Sequence, residues 1–505
     1  MIPSRPARKP RKASKGSLEQ GFEDDGSALM AAETSPKRPA SGDTDRIDAS
    51  VWKIAAVAAC GAFLSQIDAT VVNVSLSTLA TDLHSNLVSI QWVTSGYLLA
   101  LALTLPMNGW VVDRVGAKKV YIWCFAAFTV SSALCGLAWS ANSLIGFRVL
   151  QGMCGGLLAP MAQMMVARAA GKHMAQVIGV SALPVLLAPL LGPVLAGTIL
   201  QFASWRWLFL VNLPVGVLAV ILAYLFLPND TGEKVPRRLD VVGLALLSPG
   251  LVMFLYGTEH LGERTGIPSI AASLVMFFVF WRWAERKGDA ALIDLRLLKG
   301  KVFSASITTM FMANGMNFAS QMLLPIYLIK ACGQSPSATG LMMAPMGVGM
   351  MCIYPWVGTL TKRFGARRVA TIGSLVALSG TALFIYLAHE GLVLWVLILA
   401  LFLRGIGSGG VGIPAISSAY AALPRKDIPM ATAAMNIVQR LGGPTLTTAC
   451  ATFLGWRMAQ IPGAQGLPSA FTAAFILLCL LQAILFVATL RLPPSGYGLR
   501  KTTSG

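Results

Sequence analysis

Two charged residues of this chain sit where charge is costly. Asp68 lies inside FLSQIDATVVNVSLSTLA, Phe63 to Ala80, and Arg148 inside LIGFRVLQGMCGG, Leu144 to Gly156. Both runs are otherwise apolar enough to read as membrane helices. A charge at the centre of a bilayer costs about 2.5–3.5 kcal/mol on insertion scales, so each residue needs a partner or a use. A carboxyl group withdrawn from water favours its neutral form. It could take up a proton on one side of a membrane and release it on the other. Ionised, it could attract a cation or pair with an arginine. A structural reading stays open beside these, with Asp68 hydrogen-bonded to Thr70, Asn73 or a neighbouring helix. No other carboxylate lies deep in an apolar run: Asp82, Asp113, Asp240, Glu259 and Glu285 are all near run ends. Arg148, Gln151, Gly152, Gly155 and Gly156 fall at helical spacing on one broad face. Gly152 and Gly156 permit close helix packing. A buried guanidinium there either anchors on helix carbonyls or holds down the proton affinity of a nearby carboxylate. Arg404 and Arg440 are the other cations within apolar runs, and both could snorkel or fill packing defects.

The elements that must hold these residues are membrane helices. Of 505 residues 55% are hydrophobic and 12% charged, with a mean hydropathy of +0.67. A soluble chain carries about twice that share of charge. A spanning helix needs about 20 apolar residues, and fourteen such segments run between residues 52 and 491. Asp68 stands 16 residues beyond Trp52, roughly 24 Å along a helix. In a hydrocarbon core of about 30 Å this is past the midplane, toward the outside. The net charge of +19 could suggest nucleic acid, but its distribution argues otherwise. Of 40 Lys and Arg, 23 fall in alternate loops and the C-terminal segment, 4 in the opposite loops, and 10 in the stretch through Lys53. This is the positive-inside pattern, which places both termini in the cytoplasm and needs no nucleic-acid partner. Residues 1–50 are polar, so we expect a disordered tail and no cleavable signal peptide. The eight cysteines show no metal or disulfide spacing and read as small buried residues.

An internal repeat divides the helices. GWVVDRVGAKK, Gly109 to Lys119, and GTLTKRFGARR, Gly358 to Arg368, align without gaps at an offset of 249 residues. Expected units are the tail (1–50), a six-helix bundle (51–228), a two-helix insertion with its linkers (229–301), a second six-helix bundle (302–492) and a C-terminal tail (493–505). The first copy resembles the major facilitator signature G-x-L-A-D-R-x-G-R-K, matching at Gly109, Asp113, Arg114, Gly116 and Lys118. IDATVVNVSL, Ile67 to Leu76, resembles L-D-x-T-[IV]-V-N-V-A-L of fourteen-helix drug:proton antiporters. LIGFRVLQGMCGG resembles the helix 4 motif L-x-x-x-R-x-x-Q-G-x-G. APLLGPVLAG, Ala188 to Gly197, resembles the antiporter motif of helix 5 through Gly192, Pro193 and Gly197, with Ala188 and Ala196 in place of two glycines. SWRWLFLVNLPVG, Ser204 to Gly216, is also typical of the branch. Over residues 51–491 the chain resembles EmrB/QacA-type antiporters.

The resemblance implies an all-α integral membrane protein of fourteen transmembrane helices with the major facilitator fold. It implies a proton-coupled exporter of lipophilic or cationic organic compounds in the inner membrane. Asp68 would carry the proton and Arg148 would take part in coupling. Asp113 and its neighbours would latch the outward-open state, at a helix end where a carboxylate can dock on an opposing helix N-terminus. Gly192-Pro193 is either a hinge of the exit path or a packing kink. Asn73, Gln151, Asn314, Asn317 and Gln321 are candidates for the substrate cavity. Nine of the 22 methionines fall between Met310 and Met351, as lining for varied apolar molecules or as ordinary core. Beyond protons, small organic substrates and the lipid bilayer, a double-membraned host would add a periplasmic membrane-fusion adaptor as partner. GIGSGG, Gly405 to Gly410, fits a dinucleotide pattern but lies in an apolar helix, and no P-loop is present, so no cofactor is expected. No HExxH or nucleophile elbow points to an enzyme. A proton symporter, a lipid exporter or a non-transporting receptor or assembly subunit remains as an alternative.

Overall fold

The computed structural model describes residues 47–229, 238–424, 427–460 and 466–494. Among the described residues there is no strand, and the architecture is all helical. We label the long helices α1 (Ala49–Asp82), α2 (Val88–Val115), α3 (Ala117–Gly136), α4 (Ala141–Ala170), α5 (Met174–Phe202), α6 (Trp207–Phe226) and α7 (Val241–Glu259). They continue with α8 (Gly266–Lys287), α9 (Lys301–Lys330), α10 (Ala338–Phe364), α11 (Ala366–Glu390), α12 (Leu394–Ala421), α13 (Ile428–Gln460) and α14 (Gly466–Leu490). Eleven are both long and apolar enough to cross a membrane. The other three, α5, α9 and α13, have the length, at 29, 30 and 33 residues. The chain is a multi-pass membrane protein, and the full count of fourteen rests for these three on length.

Local sequence sets where the helices begin. Asn86 accepts a hydrogen bond from the Ser89 amide at 2.7 Å ahead of α2. Ser140 and Ser143 form a reciprocal capping box at the start of α4. That cap fixes the register of Arg148. In α2, Pro106 lies in a short 3₁₀ stretch, Leu105–Met107, where the tighter winding precedes the signature motif.

The sequence repeat has a structural counterpart. Gly116 and Gly365 occupy equivalent positions in the two copies, with φ of 103° and 85°. Each makes the turn from one helix to the next in a conformation that glycine adopts without steric cost. The first glycine of each copy does something different. A Cβ on Gly109 would stand 3.3 Å from Met430 Cα, in α13. A Cβ on Gly358 would collide with the backbone of Gln176, in α5. Met430 and Gln176 are each the third residue of their helix. Backbone therefore meets backbone twice, and both contacts lie at the end that carries the basic loops. Asn436 of α13 also donates to Gln163 of α4 at 3.0 Å. Elsewhere on α5 and α10, nothing lies within 4 Å of a Cβ placed on Gly197, Gly340 or Gly347. The helices are closed against one another at the basic end.

Helices α7 and α8 pack on each other, and α7 also contacts α2 and α13. Their basic ends are tied by Asp240, which is buried. It accepts from the Gly243 amide at 3.1 Å, Trp283 Nε1 at 3.0 Å, Lys287 Nζ at 2.8 Å and the Leu292 amide at 3.0 Å. Burial alone would raise its pKa, but the four donors together outweigh it and hold the carboxyl below its usual range. The linker after α8 then reaches α13, where the Asp294 amide lies 3.0 Å from Met430 Sδ. The insertion thus touches the same residue that receives Gly109.

Two outcomes follow from these contacts. Gly358→Val should part α10 from α5, so spin labels on the basic ends of these helices should report a longer mean distance. An unchanged distance would remove the glycine contact as a closing element. Because the folded-state value of Asp240 is depressed, its contribution is present at neutral pH and lost as pH falls through that value, below about 4. Amide protection of residues 288–295 should therefore drop between pH 6 and pH 3, and Asp240→Asn should lack it at both. Equal protection in variant and parent would show that the carboxylate does not organise the linker.

Candidate functional site

Helices α4 and α6 meet α1 at Asp68, which is 1% exposed. Arg148 of α4 contributes NH1 to Oδ2 at 2.5 Å. Gln151, one turn later on α4, donates Nε2 to Oδ1 at 3.1 Å, and Asn212 of α6 donates Nδ2 to the same oxygen at 2.9 Å. Three donors on two oxygens fit a carboxylate that carries no proton. Arg148 is fully buried too. Its Nε donates to the Val93 carbonyl at 3.2 Å and its NH1 also reaches Gln151 Oε1 at 2.9 Å. The guanidinium lies 4.1 Å from the ring centroid of Tyr97, a cation–π contact in a dry site. The Tyr97 hydroxyl pairs with Ser65 at 3.1 Å, and Asn212 is steadied by Ser132 at 3.2 Å. Arg148 NH2 is buried without a hydrogen-bond partner among the described residues.

The cluster can hold charge only as a unit. Each ion is removed from water, and each is stabilised by the other and by neutral donors and acceptors around it. Protonating Asp68 would leave Arg148 with carbonyl and amide oxygens but no counter-charge. The pair is thus a buried contact in which each charge depends on the other.

The other residues singled out in the sequence are placed as follows. Gln151 belongs to the Asp68 cluster rather than to an open cavity, being fully buried. Thr70 does not bond Asp68; it donates to the Gln66 and Ile67 carbonyls at 3.0 and 2.9 Å and approaches the Ala188 carbonyl of α5 at 3.4 Å. The Asn73 side chain lies outside the described residues, as does that of Pro193. Gly192 packs directly on Thr70, where any Cβ would collide, and α5 runs unbroken through Gly192-Pro193, while Gly197 is exposed. On α9, Asn314 donates to the Gln439 carbonyl of α13 at 2.6 Å, Asn317 is half-buried and Gln321 is exposed. Asp113 lines a small recess with Gly109, Arg238, Asp240, Leu292 and Met430. Arg114 lies over the Trp110 ring, and Lys118 reaches Asn229 at 3.1 Å. Arg404 is buried on Thr381, Ser320 and the Met316 carbonyl, with no carboxylate in its set. Sequence reasoning missed Asn212, Tyr97 and Ser132. Asn212 left a signal, as the one amide of the sixth apolar run.

Comparison with known proteins places this geometry. The family model described as Major Facilitator Superfamily matches residues 58–445 and, again, 305–503. The multidrug resistance protein B homolog of Mycobacterium tuberculosis is 33% identical over 433 residues, covering 83% of this chain and 80% of the relative. The putative multidrug resistance protein MdtD of Pectobacterium carotovorum is 32% identical over 359 residues, covering 69% of this chain and 76% of the relative. Among solved structures, the proton:xylose symporter XylE superposes with a TM-score of 0.58 at 13% identity, covering 86% of this chain and 95% of that one. At that identity the likeness is one of fold.

Replacing Asp68 by Asn removes the only counter-charge of Arg148, and breaking a buried pair from one side costs about 3–5 kcal/mol. Asp68→Asn should lower the melting temperature of the purified protein, and Asp68→Asn with Arg148→Gln should recover part of the loss. An unshifted melting temperature in the single variant would show that the pair does not hold α1 to α4.

Proposed function

This chain belongs to the major facilitator superfamily, among its multidrug-resistance transporters, and from that premise we propose that it exports lipophilic organic compounds in exchange for protons. It is a transporter rather than an enzyme. The observation that carries the proton-coupled reading is the sealed Asp68–Arg148 pair, since Asp68 is the one carboxylate at membrane depth in the sequence.

The proposed cycle starts from a protein closed at its basic end, with Asp68 ionised. A proton arriving from the other side neutralises Asp68. Arg148 then loses its counter-charge, and the donors of Gln151 and Asn212 lose their anion. Helix α1 is released from α4, and α1 bears on α5 where Gly192 meets Thr70. At its other end α5 carries Gln176 against Gly358 of α10, so a shift of α5 bears on the closing contact. The sets 51–228 and 302–492 then rock about the cavity, with Gly109, Asp113, Arg114, Gly116 and Lys118 as the latch of the closed end. Gly192, Pro193 and Gly197 form the helix 5 motif, of which Gly192 gives α5 the small surface that meets α1 at Thr70. Asn73, Asn314, Asn317 and Gln321 supply polar contacts in the cavity. Each inward proton gains about 2.3 kcal/mol per 100 mV of membrane potential. The protein sits in the cell's inner membrane with both termini cytoplasmic, and a periplasmic adaptor would extend the path in a double-membraned host. In the closed state Asp68 already accepts three donors, which leaves it little to offer a cationic substrate.

The test is substrate flux in proteoliposomes under an imposed pH gradient. Flux should follow the gradient in the parent protein and collapse in Asp68→Asn to the level of protein-free vesicles. Gradient-driven flux at full rate in Asp68→Asn would overturn the coupling scheme.

A further inference from the structure

Three arginines stand deep within apolar runs, away from the helix ends, and among the described residues one carboxylate answers them. Arg148 has Asp68. Arg404 is sealed, 1% exposed, in a cage of two hydroxyls and a carbonyl. Arg440 has neither arrangement. Among the described residues no hydrogen bond or ion pair engages its guanidinium, and it is only half-buried.

Its position is central. Arg440 lies twelve residues past Ile428, the start of α13, about 18 Å along the helix axis and so near mid-membrane. It sits one turn beyond Asn436 on the same face. Asn436 is the residue that crosses to Gln163 of α4. Arg440 therefore faces the other half of the molecule, one turn beyond the Asn436–Gln163 contact. The adjacent residue, Gln439, has its carbonyl taken by Asn314 of α9, which fixes this turn of α13. A half-buried guanidinium held at membrane depth by a fixed helix is costly unless an anion meets it. No carboxylate of the described residues does so.

We propose that Arg440 recognises an anionic group on the transported compound, so that the cavity favours lipophilic organic anions, such as carboxylates and sulfonates, over neutral and cationic molecules. This rests on the transporter reading and names its substrate class. A carboxylate or sulfonate accepts two parallel bonds from a guanidinium, which fixes orientation as well as strength. The apolar body of the molecule would then lie along the apolar faces of α9 and α13. Charge movement follows. A proton entering and an anion leaving both carry positive charge inward, so the exchange is driven by membrane potential as well as by pH. One proton exchanged for one monovalent cation would not be.

The experiment uses a matched pair of fluorophores, 8-anilinonaphthalene-1-sulfonate and its neutral analogue N-phenyl-1-naphthylamine. Equilibrium binding is measured to the full-length protein in nanodiscs, corrected for empty nanodiscs. The parent should bind the sulfonate more tightly than the neutral analogue. Arg440→Gln should reduce that ratio about tenfold, as expected for loss of a charge-assisted contact. Arg440→Lys should keep part of it. A parent without the preference, or an Arg440→Gln variant that retains it, would overturn the proposal. Should Arg440→Gln fail to fold, the parent alone decides: sulfonate flux in proteoliposomes should accelerate under an imposed potential, and flux indifferent to potential would overturn the proposal equally. Binding needs no proton gradient, so a failure of Asp68 coupling would leave this result standing, and a failure of the preference would leave the coupling standing.

Discussion

The ion pair between Asp68 and Arg148 is the constraint around which the first six helices are arranged. Neither residue is tolerable alone in a medium that solvates neither. Together they require α1 and α4 to approach closely, and the remaining lone pairs require Gln151 on α4 and Asn212 on α6. Gly152 and Gly156 make that approach feasible on the α2 side, where a Cβ would strike the Tyr97 and Leu101 carbonyls. Packing and electrostatics therefore ask for the same arrangement. Among the described residues the second half has no such pair. Arg404 donates to Thr381, Ser320 and the Met316 carbonyl, none of which titrates near neutral pH. The related halves are alike in backbone and unlike in the charge they bury.

The residues that were legible in the sequence are the ones whose chemistry conflicts with their surroundings. Asp68 and Arg148 stand out because a charge in an apolar run has few bland explanations. The repeat stands out because Gly116 and Gly365 satisfy a backbone need that other residues meet only with strain. Residues that agree with their surroundings stay silent. Tyr97 and Ser132 are ordinary in membrane helices, and only the fold brings them to the cluster. Gln151 looked like a cavity residue because helical spacing gives the face of a side chain and not its partner. Helices α9 and α13 were counted as spans although amides and Arg440 lower their apolarity, and length alone supports them. The Asp240 tie was invisible, because its four donors come from both ends of a 52-residue separation.

The charged cluster and the closed end are far apart along the helices, yet α5 touches both. Near one end it presents Gln176 to Gly358, and in its second half it presents Gly192 to Thr70, two residues from Asp68. A helix is stiff over that distance, so displacement at one contact is felt at the other without any chain of side chains between them. The insertion α7–α8 adds a third party at the closed end through Asp294 and Met430. Opening there must either carry the linker along or detach it.

The closing contacts at Gly109 and Gly358 are made by main chain against main chain. Their shape complementarity is indifferent to what the inward-facing side chains become. Side chains elsewhere on these helices can therefore change without disturbing the fit of main chain on main chain. Diversification of what is carried and preservation of how it is carried are separated at the level of the polypeptide itself.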